Sequence, residues 1–422
     1  MTAVKVFENI RQKTETVWAR RLLCALEYGI AAVLLLQCNT AWMCIAPVRD
    51  YIGIVLFAVL CVCVLGCILL SGGIFSLRRL AGGSLLLLLL FSYLMVLFFA
   101  HQVNRPVFWR FTAGFLVLAA YQFFCYDGGI SSVLKKYSRI VVGVAAYSLV
   151  MWLLCTVLEV IPSTGFVMTS WNDTAYFDAP IKSFFGIYFE AQVGRNTSIF
   201  TEAPMAALQY GLAALIALLQ ERPNLICLGV LALAILSTTS TMGYLILLFV
   251  ALILGYRWVQ RKGWLENRSI RIAGCIALGT LTVGAVAVLI WKLQTTSGSI
   301  RSDDFAAGFR AFGDRVLLGH GFNFMVPVQQ YMSEWRHYNI GFSSGLLYVL
   351  ANGGLWLGAL HVGPAVRAVI VGSRRRQWQI VWFALGILVI LLITVFQYTY
   401  LLNTLLLFLL TYQPLEKLSH SA

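Results

Sequence analysis

Residues 51–70 read YIGIVLFAVLCVCVLGCILL, a stretch without one charged side chain. A bilayer's hydrocarbon core of ~30 Å takes about 20 apolar residues of helix to cross, and this run is that long. Working outward, comparable runs lie near 22–45, 84–100, 107–125, 140–160, 204–219, 225–237, 242–256, 272–291, 342–363, 379–396 and 400–412. They are continuous rather than alternating, which excludes a membrane β-barrel. The expected fold is an all-α polytopic membrane protein with about 12 transmembrane helices. Runs 225–237 and 400–412 are too short to span unaided and are expected to be tilted, broken or re-entrant.

The chain of 422 residues is 60% hydrophobic and 11% charged, against about 25% charged in a typical soluble domain, so a water-soluble enzyme is excluded. Its 31 basic and 17 acidic residues give a net charge of +14, which in a soluble protein would suggest nucleic acid. Here the charge reports sidedness. With the N-terminus inside, about two-thirds of the Lys and Arg fall on cytoplasmic segments, so the expected orientation is N-in, C-in. The chain then divides into a cytoplasmic N-terminal segment (1–21), transmembrane helices 1–5 (22–160) and a first large extracytoplasmic loop (161–203). Transmembrane helices 6–9 (204–291), a second large extracytoplasmic loop (292–341), transmembrane helices 10–12 (342–412) and a cytoplasmic tail (413–422) follow. The N-terminal segment is too charged for a cleavable signal, so the first span is expected to be retained as an anchor. The ten cysteines lie within or at the ends of apolar runs and read as packing residues rather than a disulfide set.

The two outer loops are the only long polar stretches, and function is sought there. The inner loops carry no Walker A sequence, no glycine-rich phosphate cradle and no acidic D-x-D, so nothing supports nucleotide chemistry on that side. The first outer loop ends in RNTSIFTEAP, Arg195 to Pro204. Pro204 suits the first turn of a helix, with Thr201 or Glu202 near its N-cap. Arg195 and Glu202 therefore meet at the outer surface, either as a helix cap beside an interfacial arginine or as a site.

In the second loop Phe305, Phe309, Phe312 and Val316 recur on one helical face, opposite Arg310 and Asp314. That pattern predicts a helix lying on the membrane or capping a cavity. Gly319-His320-Gly321 is a weak phosphate-loop signal and more often a tight turn. Glu334-Trp335-Arg336-His337-Tyr338 then sets a base candidate, an arginine and aromatic rings before the next span. Lys292, Arg301, Arg310, Arg315 and Arg336 face Asp303, Asp304, Asp314 and Glu334 in this loop, a near balance that does not describe a carpet for nucleic acid or acidic lipid. Individually placed arginines suit bidentate binding of phosphate. Trp171, Tyr176, Phe177, Tyr331, Trp335 and Tyr338 suit sugar stacking and a membrane-interface belt equally well. No histidine pair has the spacing of a helical metal site, so no metal is expected, nor any cofactor. Glu27, a turn and a half inward of Arg20 and Arg21, reads either as an ion-paired residue or as a mark on a pathway.

Taken in order, these segments resemble the O-antigen polymerase and ligase superfamily. R-N-T-S-I-F-T-E-A-P resembles that family's R-x-x-S-I-F-x-E-P at the end of the first large outer loop. LSTTSTMGY, Leu236 to Tyr244, resembles its L-S-x-S-x-x-G between consecutive spans. Arg301, Phe305, Gly319 and Gly321 resemble R-x3-W followed by G-x-G, and LANGGL, Leu350 to Leu355, resembles L-A-E-x-G-L. Four departures stand out: Phe305 replaces tryptophan, Ala203 shifts the proline by one place, Asn352 replaces glutamate, and Ser343 stands where the ligases carry a histidine, with His337 six residues earlier. They favour polymerase over ligase.

The resemblance implies a GT-C-like fold in the bacterial plasma membrane and an enzyme that joins polyprenyl-diphosphate-linked oligosaccharide repeats on the outer face. The products would be capsular, exopolysaccharide or O-antigen chains. It implies a membrane lipid as donor carrier, no metal, no nucleic acid, and a flippase and a chain-length regulator as partners. It implies diphosphate binding by Arg195 and Arg301, with Arg310, Arg315 and Arg336 as further candidates, and Glu202 or His337 as base. Gly319 and Gly321 are expected to form a turn. The rival functions are a ligase that hands the glycan to another acceptor and a lipid-linked oligosaccharide flippase, which would carry internal repeats and charges at mid-membrane.

Overall fold

The computed structural model describes residues 17–45, 48–71, 91–92, 95, 105–125, 129–168, 180–263, 296–336 and 341–412. The expected spans 84–100, but for residues 91, 92 and 95, and 272–291 lie outside them. The described chain is mainly helical. Its helices are α1 (Val17–Gln37), α2 (Val48–Leu70), α3 (Arg105–Phe124), α4 (Gly129–Trp152), α5 (Ala203–Ala217), α6 (Leu225–Ser237) and α7 (Thr241–Arg261). After these come α8 (Thr296–Asp314), α9 (Gly345–Arg374), α10 (Trp378–Ile393) and α11 (Tyr400–Thr411). Among the described residues five helices are long and apolar enough to cross a membrane, within 51–70, 105–124, 129–157, 241–261 and 345–374, and α5, α6, α10 and α11 are shorter apolar helices.

Three features depart from or go beyond the sequence expectation. The first outer loop is not wholly irregular: β1 (Gly165–Met168), β2 (Pro180–Phe184) and β3 (Tyr188–Glu190) form an antiparallel sheet in that order, so the fold is not purely α-helical. Helix α4 starts at Gly129, and it absorbs Lys135, Lys136 and Arg139, which hydropathy alone assigns to a loop. The physical reason lies in α1: Glu27 is buried, and Lys136 donates to it at 2.5 Å, joined by the hydroxyls of Tyr121 at 2.7 Å and Ser132 at 2.8 Å. Glu27 is thus an ion-paired residue, with a partner on another helix rather than Arg20 or Arg21. The nine described cysteines are all free thiols.

The third feature is the face by which α8 packs, which the sequence pattern leaves open. It carries Asp303, Asp304, Ala307 and Ala311, all buried, and Gly308, while Phe309 of the aromatic repeat is 59% exposed. Small residues win because α8 lies close on α9: a Cβ at Gly308 would come within 2.9 Å of Leu347. The aromatic repeat is real, but it is not the side that packs.

Helix α9 runs for 30 residues and is broken at Gly354 (φ 61°, ψ −157°). Such a break leaves amides and carbonyls open in an apolar setting, where each unpaired group is costly. The turn at the end of α8 fills them. His320 and Gly321 donate their amides to the carbonyls of Ala351 and Asn352 at 3.0 and 2.9 Å, and Leu355 donates to Val316 at 2.7 Å. The Asn352 side chain accepts from the Phe324 amide at 3.1 Å. Gly319 (φ 64°) and Gly321 (φ 127°) form the expected turn, and its partner is the broken helix.

Both sides of this contact need glycine. A Cβ at Gly319 would lie 2.4 Å from the backbone of Asn352 and Gly353, and one at Gly354 would lie 2.4 Å from Leu317. Gly319→Ala or Gly354→Ala is therefore expected to destabilise by about 1–3 kcal/mol, read as a lowered Tm of the detergent-solubilised protein. Gly143→Ala on α4, where nothing lies within 4 Å, is expected to leave Tm unchanged or raise it by up to about 1 kcal/mol equivalent. Equal Tm values for the three variants would contradict the docking.

Candidate functional site

The RNTS segment is anchored to the LSTTS segment. Asn196 is fully buried; its amide donates to the Ser237 carbonyl at 3.1 Å, and its side chain donates to the hydroxyls of Ser237 at 2.9 Å and Ser148 at 3.2 Å. Arg195 next to it reaches the C-terminal end of α6, where its Nε donates to the Thr238 carbonyl at 2.8 Å and its Nη2 to the Thr239 carbonyl at 3.4 Å. The negative end of a helix is a favourable place for a guanidinium. The following residues are held by the segment just after α1: Ala41 donates to Ile199 at 2.8 Å and Thr201 to Asn39 at 3.3 Å.

Glu202 is the N-cap residue of α5, with extended backbone and Pro204 in the first turn, but its side chain makes no capping hydrogen bond. The carboxylate instead lines a cavity of about 900 Å³. Arg195 and Arg301 line the same cavity, so residues from both outer loops converge there. Arg301 stands on α8 and donates to the carbonyl of Ile393, the last residue of α10, at 3.4 Å.

Burial pulls both guanidiniums below the usual arginine range. For Arg195 the pull is opposed mainly by Glu202, and for Arg301 by Asp304 and then Glu202. One carboxylate thus acts on both arginines, and both remain cationic at any physiological pH.

The remaining candidates separate cleanly. Arg336 is buried but does not line the cavity: its Nη1 donates to Asp304 at 2.7 Å and to Asp303 at 3.3 Å, and its Nη2 to the Gly341 carbonyl at 2.7 Å. Asp303 also accepts from the Ser333 hydroxyl at 2.5 Å, and Asp304 from the Ser343 amide at 2.9 Å. Burial raises the Asp304 carboxyl, against the Ser343 and Arg336 hydrogen bonds that lower it. Arg336 is therefore a clamp that closes the second loop onto α8. Arg310 and Arg315 are exposed and are not in the cavity wall, because the face of α8 that carries them points outward. Gly319 and Gly321 belong to the docking turn. His337 and Tyr338 lie outside the described residues, as do Trp171, Tyr176 and Phe177. Trp335 is exposed and Tyr331 packs against His320.

The cavity also contains groups that loop-based reasoning passes over. Arg110 comes from α3, and Gln37, Asn39, Gln192, Asn323 and Gln397 supply carboxamides. Tyr348 and Tyr398 supply rings. A charged residue inside an apolar run is the signal that would have drawn attention to Arg110. The wall thus combines fixed cations, one carboxylate between two of them, and many hydrogen-bonding amides. That set suits an anionic ligand with a polyhydroxylated part.

Compared with protein-family models and with curated proteins, the chain matches none.

Arg336→Ala leaves Asp303 and Asp304 buried without their cation and is expected to cost about 3–5 kcal/mol in thermal unfolding. Arg310→Ala and Arg315→Ala are expected to stay within about 0.5 kcal/mol of the parent protein. An Arg336→Ala variant as stable as Arg310→Ala would rule out the clamp.

Proposed function

We propose that this protein is an integral membrane glycosyltransferase that polymerises polyprenyl-diphosphate-linked oligosaccharide repeats on the outer face of a bacterial plasma membrane. About 12 spans with N-in, C-in topology frame two extracytoplasmic loops in this reading. The products are capsular, exopolysaccharide or O-antigen chains. The observation that carries the reading is the meeting of Arg195, Glu202 and Arg301, from two loops far apart in sequence, on one cavity.

In the reaction, a hydroxyl oxygen of the acceptor glycan attacks C1 of the donor sugar. The bond from C1 to the phosphate oxygen breaks, and its electron pair leaves on the diphosphate that stays with the lipid. The hydroxyl proton passes to a base, and Glu202 is the described carboxylate available for it. Because a diphosphate leaves as an anion, the larger demand is for fixed positive charge where negative charge grows. Arg195 and Arg301 meet that demand without reorganisation, since helix-end carbonyls already hold them. The carboxamides and tyrosines of the wall are the groups that would hydrogen-bond and stack against sugars.

Purified protein given only the lipid-linked repeat is expected to yield a ladder of products. A strict need for a different acceptor would instead make it a ligase, and uptake without bond formation would make it a transporter. Arg195→Ala and Arg301→Ala are each expected to slow polymerisation by about 10²–10³-fold, and Glu202→Gln by about 10²–10⁴-fold, measured on protein that remains folded below its Tm. Normal chain length in both arginine variants would refute the assignment.

A further inference from the structure

Arg110 is the cavity cation that neither outer loop provides. It lies five residues into α3, about 7.5 Å along the axis from the helix start at 1.5 Å per residue, on a helix apolar enough to cross a membrane. Arg195, by contrast, lies in a loop and Arg301 on the loop helix α8. Its surroundings leave it unsatisfied. The Nε is buried and has no hydrogen-bond partner, and among the described residues no carboxylate forms an ion pair with it. Gly53 on α2 faces it, with Nη1 3.8 Å from where a Cβ would stand. A charged group held this way in an apolar helix is costly unless a ligand of opposite charge completes it.

The charges of the wall indicate what that ligand is. Three guanidiniums, Arg110, Arg195 and Arg301, share the cavity with two carboxylates, Glu202 and Asp304. Arg336 is shared by Asp304 at 2.7 Å and Asp303 at 3.3 Å, and Asp304 also acts on Arg301. With that clamp counted, Arg110, Arg195, Arg301 and Arg336 stand against Glu202, Asp303 and Asp304, and the positive excess favours an anionic ligand such as a phosphate ester.

We infer that Arg110 is the third guanidinium of the anion site and that it holds the lipid-proximal phosphate, while Arg195 and Arg301 hold the phosphate next to the sugar. The inference rests on the diphosphate reading given above and adds to it a division of labour by depth. A lipid tail leaves its carrier phosphate nearer the membrane, and Arg110 is the cation of the three that stands on a helix apolar enough to cross one. Arg110 is a binding residue for the part of the donor that does not react, so its loss weakens recognition of the carrier phosphate that polyprenyl mono- and diphosphates share.

The test compares binding of a short-chain polyprenyl diphosphate with that of the matching monophosphate, using the full-length protein in detergent. The parent protein is expected to prefer the diphosphate by about tenfold or more, as a charged hydrogen-bond set implies. Arg110→Gln is expected to weaken binding of both lipids by about tenfold while keeping the preference for the diphosphate, which Arg195 and Arg301 set. Arg110→Lys, which keeps the charge but not the fork, is expected to weaken both severalfold, and it decides the matter where Arg110→Gln does not fold. Monophosphate affinity unchanged in whichever variant folds, or a loss confined to the diphosphate, overturns the inference and leaves the polymerase reading standing. A parent protein that ignores the polyprenyl diphosphate overturns both.

Discussion

A helix that stops or breaks inside an apolar bundle exposes carbonyls and amides that cannot turn to water, so another part of the same chain must reach them. In this protein there are three such places, and at two of them the group that reaches in is an arginine of one cavity. At the end of α6, the carbonyls of Thr238 and Thr239 receive Arg195. At the end of α10, the carbonyl of Ile393 receives Arg301. At the break in α9, the Gly319 turn supplies amides to Ala351 and Asn352. The first two solve two problems together, because an open helix C-terminus needs donors and a buried guanidinium needs negative potential. The cations are held by the scaffold, with hydrogen-bonding capacity left on each fork.

The same constraint explains why Arg336 has a different role from Arg195 and Arg301. Arg336 is surrounded by Asp303 and Asp304, and both carboxylates are themselves fixed by Ser333 and Ser343. A guanidinium matched this closely gives the loop its shape and has little attraction left for a ligand. Arg195 has backbone carbonyls and Glu202, and Arg301 a backbone carbonyl with shares of Asp304 and Glu202, so their charge is only partly compensated. Incomplete compensation is costly in the absence of ligand, and it is what makes an anion site.

Hydropathy made the helices legible, since a continuous apolar run has few alternatives in a chain this poor in charge. It misplaced the start of α4, because Lys136 is tolerated there only through Glu27, a partner distant in sequence. The periodic phenylalanines marked α8 as a helix but left its packing face open, and closeness to α9 selected the face with Gly308 and the acidic pair. The strands of the first loop went unread because they are short and carry Pro180 and Lys182 rather than a clean alternation. Of the site, Arg195, Glu202 and Arg301 were legible as members of ordered motifs. Which motif touches which was not legible: pairing RNTS with LSTTS and the G-x-G turn with LANGGL is a tertiary fact. Arg110 escaped because it belongs to no motif.

Backbone conformation ties these threads together. A β-branched residue with positive φ is a true outlier, and such positions cost on the order of 1–3 kcal/mol each. Thr239 has φ 48°, and its carbonyl is one of the two that receive Arg195. Ser198, three residues beyond Arg195, has φ 54°, and its carbonyl accepts the Phe189 amide that pins the loop to β3. Asn39 and Asn323, at φ 59° and 50°, both line the cavity. The dense hydrogen bonding of Asn196, Asn352 and the Gly319 turn supplies the stability that lets the chain hold these conformations. The result is a wall whose arginines and amides are set in place before any ligand arrives, and preorganisation of that kind is what electrostatic catalysis requires.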